Sequence, residues 1–209
     1  MQGQRTFDVV RVLVNVVYYV VALLALLVVI LKTMAVVIGT QELTDTSHQL
    51  TVNFDVKAFP KKDTLPPKLI YGSLKNAALE KKEDMYTLRT TSRSPLGIYS
   101  YVITLLGAIA VVTGMGWLRK IFQDSSLKEP FREINAVRIR NIGLLLIAAD
   151  VVRLIGYYIF NRMTNPYFTP YFQQLMEVGN SFWMGLLLLA LAVVYRRGVE
   201  IYKENQLTI

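Results

Sequence analysis

The sequence predicts an all-α membrane protein: a four-helix transmembrane bundle with a small β-containing extracytoplasmic cap in the first loop. Two observations lead to this fold class. Apolar residues make up 53% of the 209 residues, and they concentrate in four runs of membrane-spanning length. In the short connections and near the ends of the runs, basic residues collect on one side. We therefore expect one membrane domain over residues 1–209, with spans at about 9–38, 97–117, 142–160 and 178–195 and a cap at 39–96.

The first predicted span, 9–38, is longer than the roughly 20 residues that cross a bilayer core. Its apolar run is interrupted chiefly by Arg11, Asn15 and Lys32. A cleaved signal peptide would have an apolar stretch of only about 7–15 residues, followed by small residues at a cleavage site. The segment lacks that pattern, so we expect a retained anchor that tilts or protrudes.

The other three predicted spans differ in how polar they are. Span two, 97–117, contains no charged residue, whereas span three, 142–160, contains Asp150 and Arg153. Span four, 178–195, reaches a normal length only if Gly179 and Asn180 are helical. Four helices are therefore expected, of which the third alone carries charge at membrane depth.

Lys and Arg in short connections predict the orientation, because these residues are retained on the cytoplasmic side. The connection between spans two and three contains six of them: Arg119, Lys120, Lys128, Arg132, Arg138 and Arg140. The connection between spans three and four contains Arg162 alone. Further basic residues lie near the free ends of spans one and four: Arg5, Arg11, Arg196, Arg197 and Lys203. Both termini are therefore predicted to be cytoplasmic, and loop 39–96 extracytoplasmic.

Within the outer loop, apolar and polar residues alternate from 50 to 57, a pattern that predicts a strand with one covered face. Shorter strand-like pieces follow at 68–71 and 85–89, and a helical turn is expected through Ser73 to Glu83. Two interpretations of this cap stay open. It is either a surface that recognises a ligand or partner, or a lid that covers the helix ends.

On the inner side, Ser126 and Glu129 have the spacing of a capping box, and Pro130 suits a first helical turn. Helix three is therefore predicted to begin in the cytoplasm, before its apolar part. The basic residues on this stretch are Arg132, Arg138 and Arg140. Near a membrane surface each can attract anionic lipid headgroups by about 1 kcal/mol.

The most polar feature of the spans is Asp150 with Arg153. An ionised side chain at a helix centre costs roughly 2.5–3.5 kcal/mol on insertion scales, so it seldom persists without a partner. Three residues apart, the two share a helix face, and Tyr157 follows about one turn later. Asn15 of span one is either the polar partner of this pair from another helix or a residue near the inner headgroups. The cluster is either a buried proton or ligand site, or a self-neutralising pair that fixes helix packing.

Catalytic chemistry is not expected. The chain has no cysteine and one histidine, His48, which excludes thiolate metal sites and bis-histidine clusters, so we predict no metal and no cofactor. Walker, GxGxxG, HExxH and GxSxG motifs are all missing from the sequence. The net charge of +8 follows from basic residues kept on the cytoplasmic side, so direct nucleic-acid binding is not expected.

Two segments carry a resemblance to a known family. They are F-R-E-I-N-A-V-R-I-R-N-I-G-L-L-L-I at 131–147 and Y-R-R-G-V-E-I-Y-K-E-N-Q-L-T-I at 195–209. Together with the four-span layout, they resemble a prokaryotic membrane-protein family called domain of unknown function 2975. Family tails read close to F-R-R-G-V-E-L-x-E-E-N-D-L-T-V; here Gln206 replaces the usual Asp, and Val193 stands where an acid often precedes the aromatic residue.

The resemblance implies a multi-pass protein of the prokaryotic cytoplasmic (inner) membrane. Family members are often encoded beside a small helix-turn-helix protein of the Cro type, which implies a role in regulation. The first hypothesis is therefore a non-enzymatic protein that senses the envelope and sequesters such a regulator at its cytoplasmic face. Five residues of the tail are expected to make those contacts: Arg196, Arg197, Glu200, Glu204 and Asn205. The alternative is that they serve only as a basic anchor followed by a solvated end.

Two further hypotheses come from other classes of protein. One is a small transporter or channel subunit that uses Asp150 and Arg153. The other is an accessory subunit of a larger membrane complex, and assembly as a homo-oligomer also stays open. Beyond any of these, the lipid bilayer itself is the expected partner of the four spans.

Overall fold

The computed structural model describes residues 2–39, 51–59, 69–71, 77–82, 85–125, 132–164, 171–174 and 179–207. Its helices are α1 (Gln2–Ile38), α2 (Pro95–Asp124), α3 (Glu133–Thr164) and α4 (Asn180–Leu207). Among the described residues, four helices are long and apolar enough to cross a membrane. The predicted four-helix fold is confirmed. Span four begins slightly later than predicted, since Gly179 precedes α4.

Helix α3 begins at Glu133, well before the apolar segment that starts near Ile142. An early start of this helix was predicted from the capping-box residues, and those residues, Ser126, Glu129 and Pro130, lie outside the described part of the chain. The polar first turns of α3 therefore extend the helix beyond its apolar part.

The strands form one antiparallel sheet: β1 (Thr51–Phe59), β2 (Leu69–Tyr71), β3 (Ala77–Lys82), β4 (Met85–Thr91) and β5 (Tyr171–Gln173), in the order β2-β3-β4-β1-β5. The strands predicted over 50–57, 68–71 and 85–89 correspond to β1, β2 and β4. In the central pair, Val56 lies opposite Tyr86 and Phe54 opposite Leu88. The β-containing part of the fold prediction is thus confirmed.

The helical turn expected over 73–83 is wrong for the residues that the structure describes. Ala77–Lys82 forms β3, which pairs with both β2 and β4. Ala, Leu, Glu and Lys favour helices in isolation, yet two flanking strands offer backbone partners along the whole segment, and such tertiary context overrides weak intrinsic preference. The short strand β5, which pairs with the end of β1, was not predicted.

The chain divides into two compact units. The terminal unit contains Met1–Leu27, Gly107–Val151 and Val178–Ile209, and the sheet unit contains Val28–Leu106 and Val152–Glu177. The sheet unit has an apolar core in which Val56, Tyr86, Leu88, Leu96 and Phe160 are buried. The ring of Phe160 is 4.9 Å from that of Phe54, so this core joins β1 to α3.

In the terminal unit, α3 and α4 approach closely where two glycines face each other. A Cβ added at Gly143 would lie 2.8 Å from the carbonyl oxygen of Gly185. A Cβ added at Gly185 would lie 2.7 Å from the carbonyl oxygen of Gly143 and from Cγ1 of Ile147. Both distances are too short for a side chain, so this crossing requires glycine on both helices.

Candidate functional site

Asp150 projects from α3 to the first turn of α4. Its Oδ2 accepts a hydrogen bond from the backbone N–H of Phe182 at 2.6 Å, and the residue is only 4% exposed. The first N–H groups of a helix have no partner within the helix, and Gly179, which precedes α4, has no side chain to provide one. A carboxylate is also favoured at this positive end of the helix dipole. Asp150 therefore caps α4 from a neighbouring helix.

Arg153 and Tyr157, the residues predicted to extend this polar face, are both partly buried on the part of α3 that belongs to the sheet unit. Between them, Gly156 is buried against α2. A Cβ at this position would lie 2.5 Å from the hydroxyl oxygen of Tyr99, so glycine is needed for the approach. The pairing of Arg153 with Asp150 stays a prediction.

Asn15 was expected to be a partner of Asp150 and Arg153, and the structure corrects this. Its Oδ1 accepts a hydrogen bond from Nε of Arg119 on α2, at 2.8 Å. The guanidinium of Arg119 also lies over the rings of Tyr18 and Tyr19, 5.0 and 4.8 Å from their centroids. The cause is position along the helix: Asn15 lies near the start of α1, alongside the end of α2. It therefore belongs to a polar layer at the helix ends.

Arg11 in the same layer closes the C-terminal end of α2. Its guanidinium donates hydrogen bonds to the carbonyl oxygens of Phe122, Gln123 and Ser125 at 3.2, 3.2 and 3.0 Å. The last carbonyl groups of a helix have no partner within the helix, and a cation is favoured at this negative end of the dipole. Arg11 thus has a structural role besides its expected contribution to orientation.

A polar cluster joins the end of α2 to the first turns of α3. Asp124 forms an ion pair with Arg138, whose side chain is only 16% exposed. Asn135, fully buried, donates to the Ser125 hydroxyl at 3.1 Å and accepts from Arg138 at 3.1 Å. Arg132 donates to the Asp124 carbonyl oxygen at 3.2 Å. Of the basic residues predicted to attract lipid headgroups, Arg138 is therefore engaged within the protein.

Exposure distinguishes the remaining predicted basic residues from Arg138. Arg132, just before α3, and Arg140, within its first turns, are exposed. On α4, the side chains of Arg196 and Arg197 are 69% and 68% exposed. These residues are available to solvent, and their charges face outward.

The end of α4 carries a group of exposed polar residues that we call the charged tail: Arg196, Arg197, Glu200, Glu204 and Asn205. Within it, Glu200 accepts from Arg197 at 2.8 Å and lies 3.8 Å from Arg196. A neighbouring contact joins α4 to the first turn of α3, where Lys203 donates to Glu133 at 3.0 Å. Lys203 also lowers the pKa of the Glu133 carboxyl, which lies before the apolar part of α3.

Two helix ends in the sheet unit are closed by residues that sequence reasoning did not single out. Ser94 caps α2, since its hydroxyl accepts from the N–H of Gly97 at 3.0 Å. Arg93 donates to the carbonyl oxygens of Val36 and Val37 at the end of α1, at 3.0 and 2.9 Å. The Ser94-Pro95 pair was a readable signal for a helix start. No local signal connects Arg93 to α1.

A metal centre is not apparent in the described segments, which contain no group of three or more His, Cys, Asp or Glu residues placed to hold an ion. The single histidine, His48, lies outside them.

Comparison with known proteins identifies one family. The family's sequence model, described as "Protein of unknown function (DUF2975)", matches residues 76–209. The chain belongs to this family. The region that it shares with DUF2975 runs from just before β3 to the end of α4, so it contains Asp150 and the charged tail. No curated protein and no solved structure matches the chain.

Proposed function

We propose that this DUF2975 protein is a non-enzymatic integral membrane protein that binds a cytoplasmic partner through its charged tail. Its four helices cross the cytoplasmic membrane of a prokaryotic cell, with both termini inside. Large apolar side chains exposed along the helices support the membrane location: Val9, Leu23 and Val37 are 66%, 65% and 62% exposed on α1. Contiguous apolar surface of this kind is unfavourable in water and matches a lipid environment.

The exposure of the charged tail is the observation that carries the proposed partner site. The ion pairs of Glu200 with Arg196 and Arg197 are formed within one helix by largely exposed side chains. Such pairs contribute only about 0.3–0.5 kcal/mol each, so a partner's carboxylates can replace them at small cost. A basic anchor alone does not require two glutamates, Glu200 and Glu204, within two turns after the arginines.

The composition of the charged tail also favours protein over nucleic acid as the partner. Glu200 and Glu204 lie one helical turn apart on α4, beside the arginines, and their carboxylates repel a phosphate backbone. A surface with both signs of charge instead suits a partner with a complementary pattern. The partner that we propose is a small helix-turn-helix protein held at the cytoplasmic face.

A transport role for Asp150 and Arg153 is less well supported. The Asp150 carboxylate is buried and occupied as the cap of α4, at 2.6 Å from the N–H of Phe182. A carboxylate that carried protons or ligands would have to leave that helix end in each cycle and expose it. The proposal also includes sensing of the cell envelope, with the β-sheet as the part of the protein that faces it.

Copurification tests the proposed interaction. The full chain, with an affinity tag, is extracted in mild detergent from cells that express the adjacent helix-turn-helix gene, and the bound product is quantified. Arg196→Gln with Arg197→Gln removes two positive charges from the charged tail and is expected to lower recovery at least about fivefold, as for two weakened charge contacts. Lys120→Gln with Arg140→Gln is the matched control, because it removes the same charge from the same side of the membrane.

The outcomes separate the proposal from its alternatives. Loss in the tail variant with full recovery in the control supports a partner site on α4. Equal loss in both variants would show that the helix-turn-helix protein is held by the total positive charge of the cytoplasmic face and not by the charged tail. Absence of any bound product from the wild type would count against the partner. The native mass in the same detergent distinguishes a homo-oligomer from a subunit of a larger complex.

A further inference from the structure

A cavity of about 260 Å³ lies within the sheet unit, where the end of α1 meets β1 and the start of α2. Its lining residues are mostly apolar, with Val28 and Leu31 from α1, and they include Thr51 and Tyr101, which carry hydroxyl groups. Among the described residues that line the cavity, Lys32 carries the one charge. A cavity with apolar walls and one positive charge suits a molecule that has an anionic headgroup and apolar chains.

The depth of Lys32 along α1 matches the level of lipid headgroups. The helix ends at Ile38, six residues later, which corresponds to about 9 Å along the axis. Each headgroup layer of a bilayer adds roughly 5–8 Å to the hydrocarbon core. With the end of α1 at the outer edge of this layer, the Cα of Lys32 lies at or just below the boundary between the headgroups and the hydrocarbon core. A lysine stem can remain against apolar surface while its ammonium group reaches the headgroups.

The surface beside the cavity offers a path for acyl chains. On α1, Val28 and Leu31 are 42% and 57% exposed, and on α2, Ile98 and Val102 are 48% and 45% exposed. Both pairs belong to the sheet unit. Val28 and Leu31 thus belong both to the cavity wall and to an apolar surface of α1 and α2 that remains open to lipid.

We propose that this cavity binds the phosphate headgroup of an anionic phospholipid from the outer leaflet. Lys32 supplies the opposite charge, and the Thr51 and Tyr101 hydroxyls supply hydrogen bonds. Tyr101 is held in place by Thr33, whose hydroxyl lies 3.2 Å from the tyrosine hydroxyl. The volume is slightly below the roughly 300–1,000 Å³ of sites that enclose whole small molecules, so a headgroup enters and the acyl chains stay outside. The inference uses the membrane location but not the proposed cytoplasmic partner.

Lipid titration of the detergent-solubilised full chain tests this site. Native mass spectrometry measures the apparent Kd of the first bound phosphatidylglycerol, with phosphatidylcholine as the zwitterionic comparison and inorganic phosphate as the free-anion comparison. Lys32→Met is expected to weaken phosphatidylglycerol binding about fivefold, the effect of one lysine near a lipid surface, and to leave phosphatidylcholine unchanged. Lys32→Arg should retain binding, and Lys120→Met, at the other end of α2, is the matched control.

Each outcome decides for or against the proposal. Loss in Lys32→Met, retention in Lys32→Arg and no change in Lys120→Met would support the site. Equal losses in Lys32→Met and Lys120→Met would overturn it in favour of general surface attraction. Equal affinity of the wild type for the two lipids, or complete displacement of the lipid by an equal concentration of inorganic phosphate, would also overturn it. Lys32→Gln serves as the neutral variant if Lys32→Met fails to fold.

Discussion

Removing the Asp150 carboxylate should destabilise the protein by weakening the start of α4. In Asp150→Ala, the partly buried N–H of Phe182 loses the carboxylate acceptor at 2.6 Å and keeps the Gly179 carbonyl oxygen at 3.2 Å. Hydrogen bonds to charged groups contribute about 1.5–3 kcal/mol, and the contact that remains with Gly179 places this one toward the lower half, so we expect a loss of about 1.5–2 kcal/mol. Asp150→Asn keeps an acceptor oxygen but loses the charge at the helix end, which should cost about 1 kcal/mol.

Trp183 provides a local probe for this measurement, because it directly follows Phe182 and its ring lies 5.5 Å from the phenylalanine ring. In a Trp117→Phe background, its fluorescence reports unfolding during SDS titration of detergent micelles. Hydrogen exchange at Phe182 should become faster in Asp150→Ala. Asp8→Asn is the control, since Asp8 is an exposed carboxylate on α1, and it should leave both measurements unchanged.

Two results would refute the capping role. One is a free energy of unfolding for Asp150→Ala equal to that of Asp8→Asn. The other is an Asp150→Asn variant that is fully stable but loses ion flux in reconstituted vesicles, which would favour the transport hypothesis. The structure instead predicts reduced stability and no change in flux.

Three further changes test other contacts of the fold. Gly185→Ala should cost about 1–3 kcal/mol through overpacking where α3 and α4 cross, whereas Gly107→Ala, with open space around its Cα, should be tolerated in the same SDS titration. Ser94→Ala should cost about 1 kcal/mol and Ser94→Asp much less, because aspartate can still cap α2; equal losses would argue against the cap. Arg11→Met should cost about 1 kcal/mol and speed hydrogen exchange in the last turn of α2, and unchanged exchange would contradict its contacts there.

The elements of this fold follow largely from local patterns. Four apolar runs are long enough to be helices whatever surrounds them, and the alternation at 50–57 specifies one covered face of β1. Segment 77–82 could not be assigned in this way, because its residues favour helix and only the flanking strands make it β3. The local sequence pattern therefore identifies helices and strands whose apolar residues recur regularly. It fails for a segment whose structure is determined by pairing with neighbouring strands.

The contacts of the site residues, unlike the helices and strands, could mostly not be predicted from local sequence patterns. Asp150 was recognised from the cost of a charge in an apolar helix, but its partner, the N–H of Phe182, depends on where α4 begins relative to α3. Arg11 and Arg93 likewise bond carbonyl groups of other helices, which carry no side-chain signal at all. Asn15 was assigned the wrong partner for the same reason. Contacts between distant helix ends depend on tertiary arrangement, which spacing along the chain does not encode.

Labelling of single introduced cysteines tests the central claim, a membrane protein whose charged tail is cytoplasmic. The chain has no cysteine, so each introduced thiol reacts alone. Asn53→Cys, at an exposed position of β1, and Asn205→Cys in the charged tail are treated with a membrane-impermeant maleimide in intact cells. We predict that Asn53→Cys is labelled in intact cells and Asn205→Cys only after permeabilisation. Labelling of Asn205→Cys alone in intact cells, or recovery of the protein in the soluble fraction, would contradict the claim.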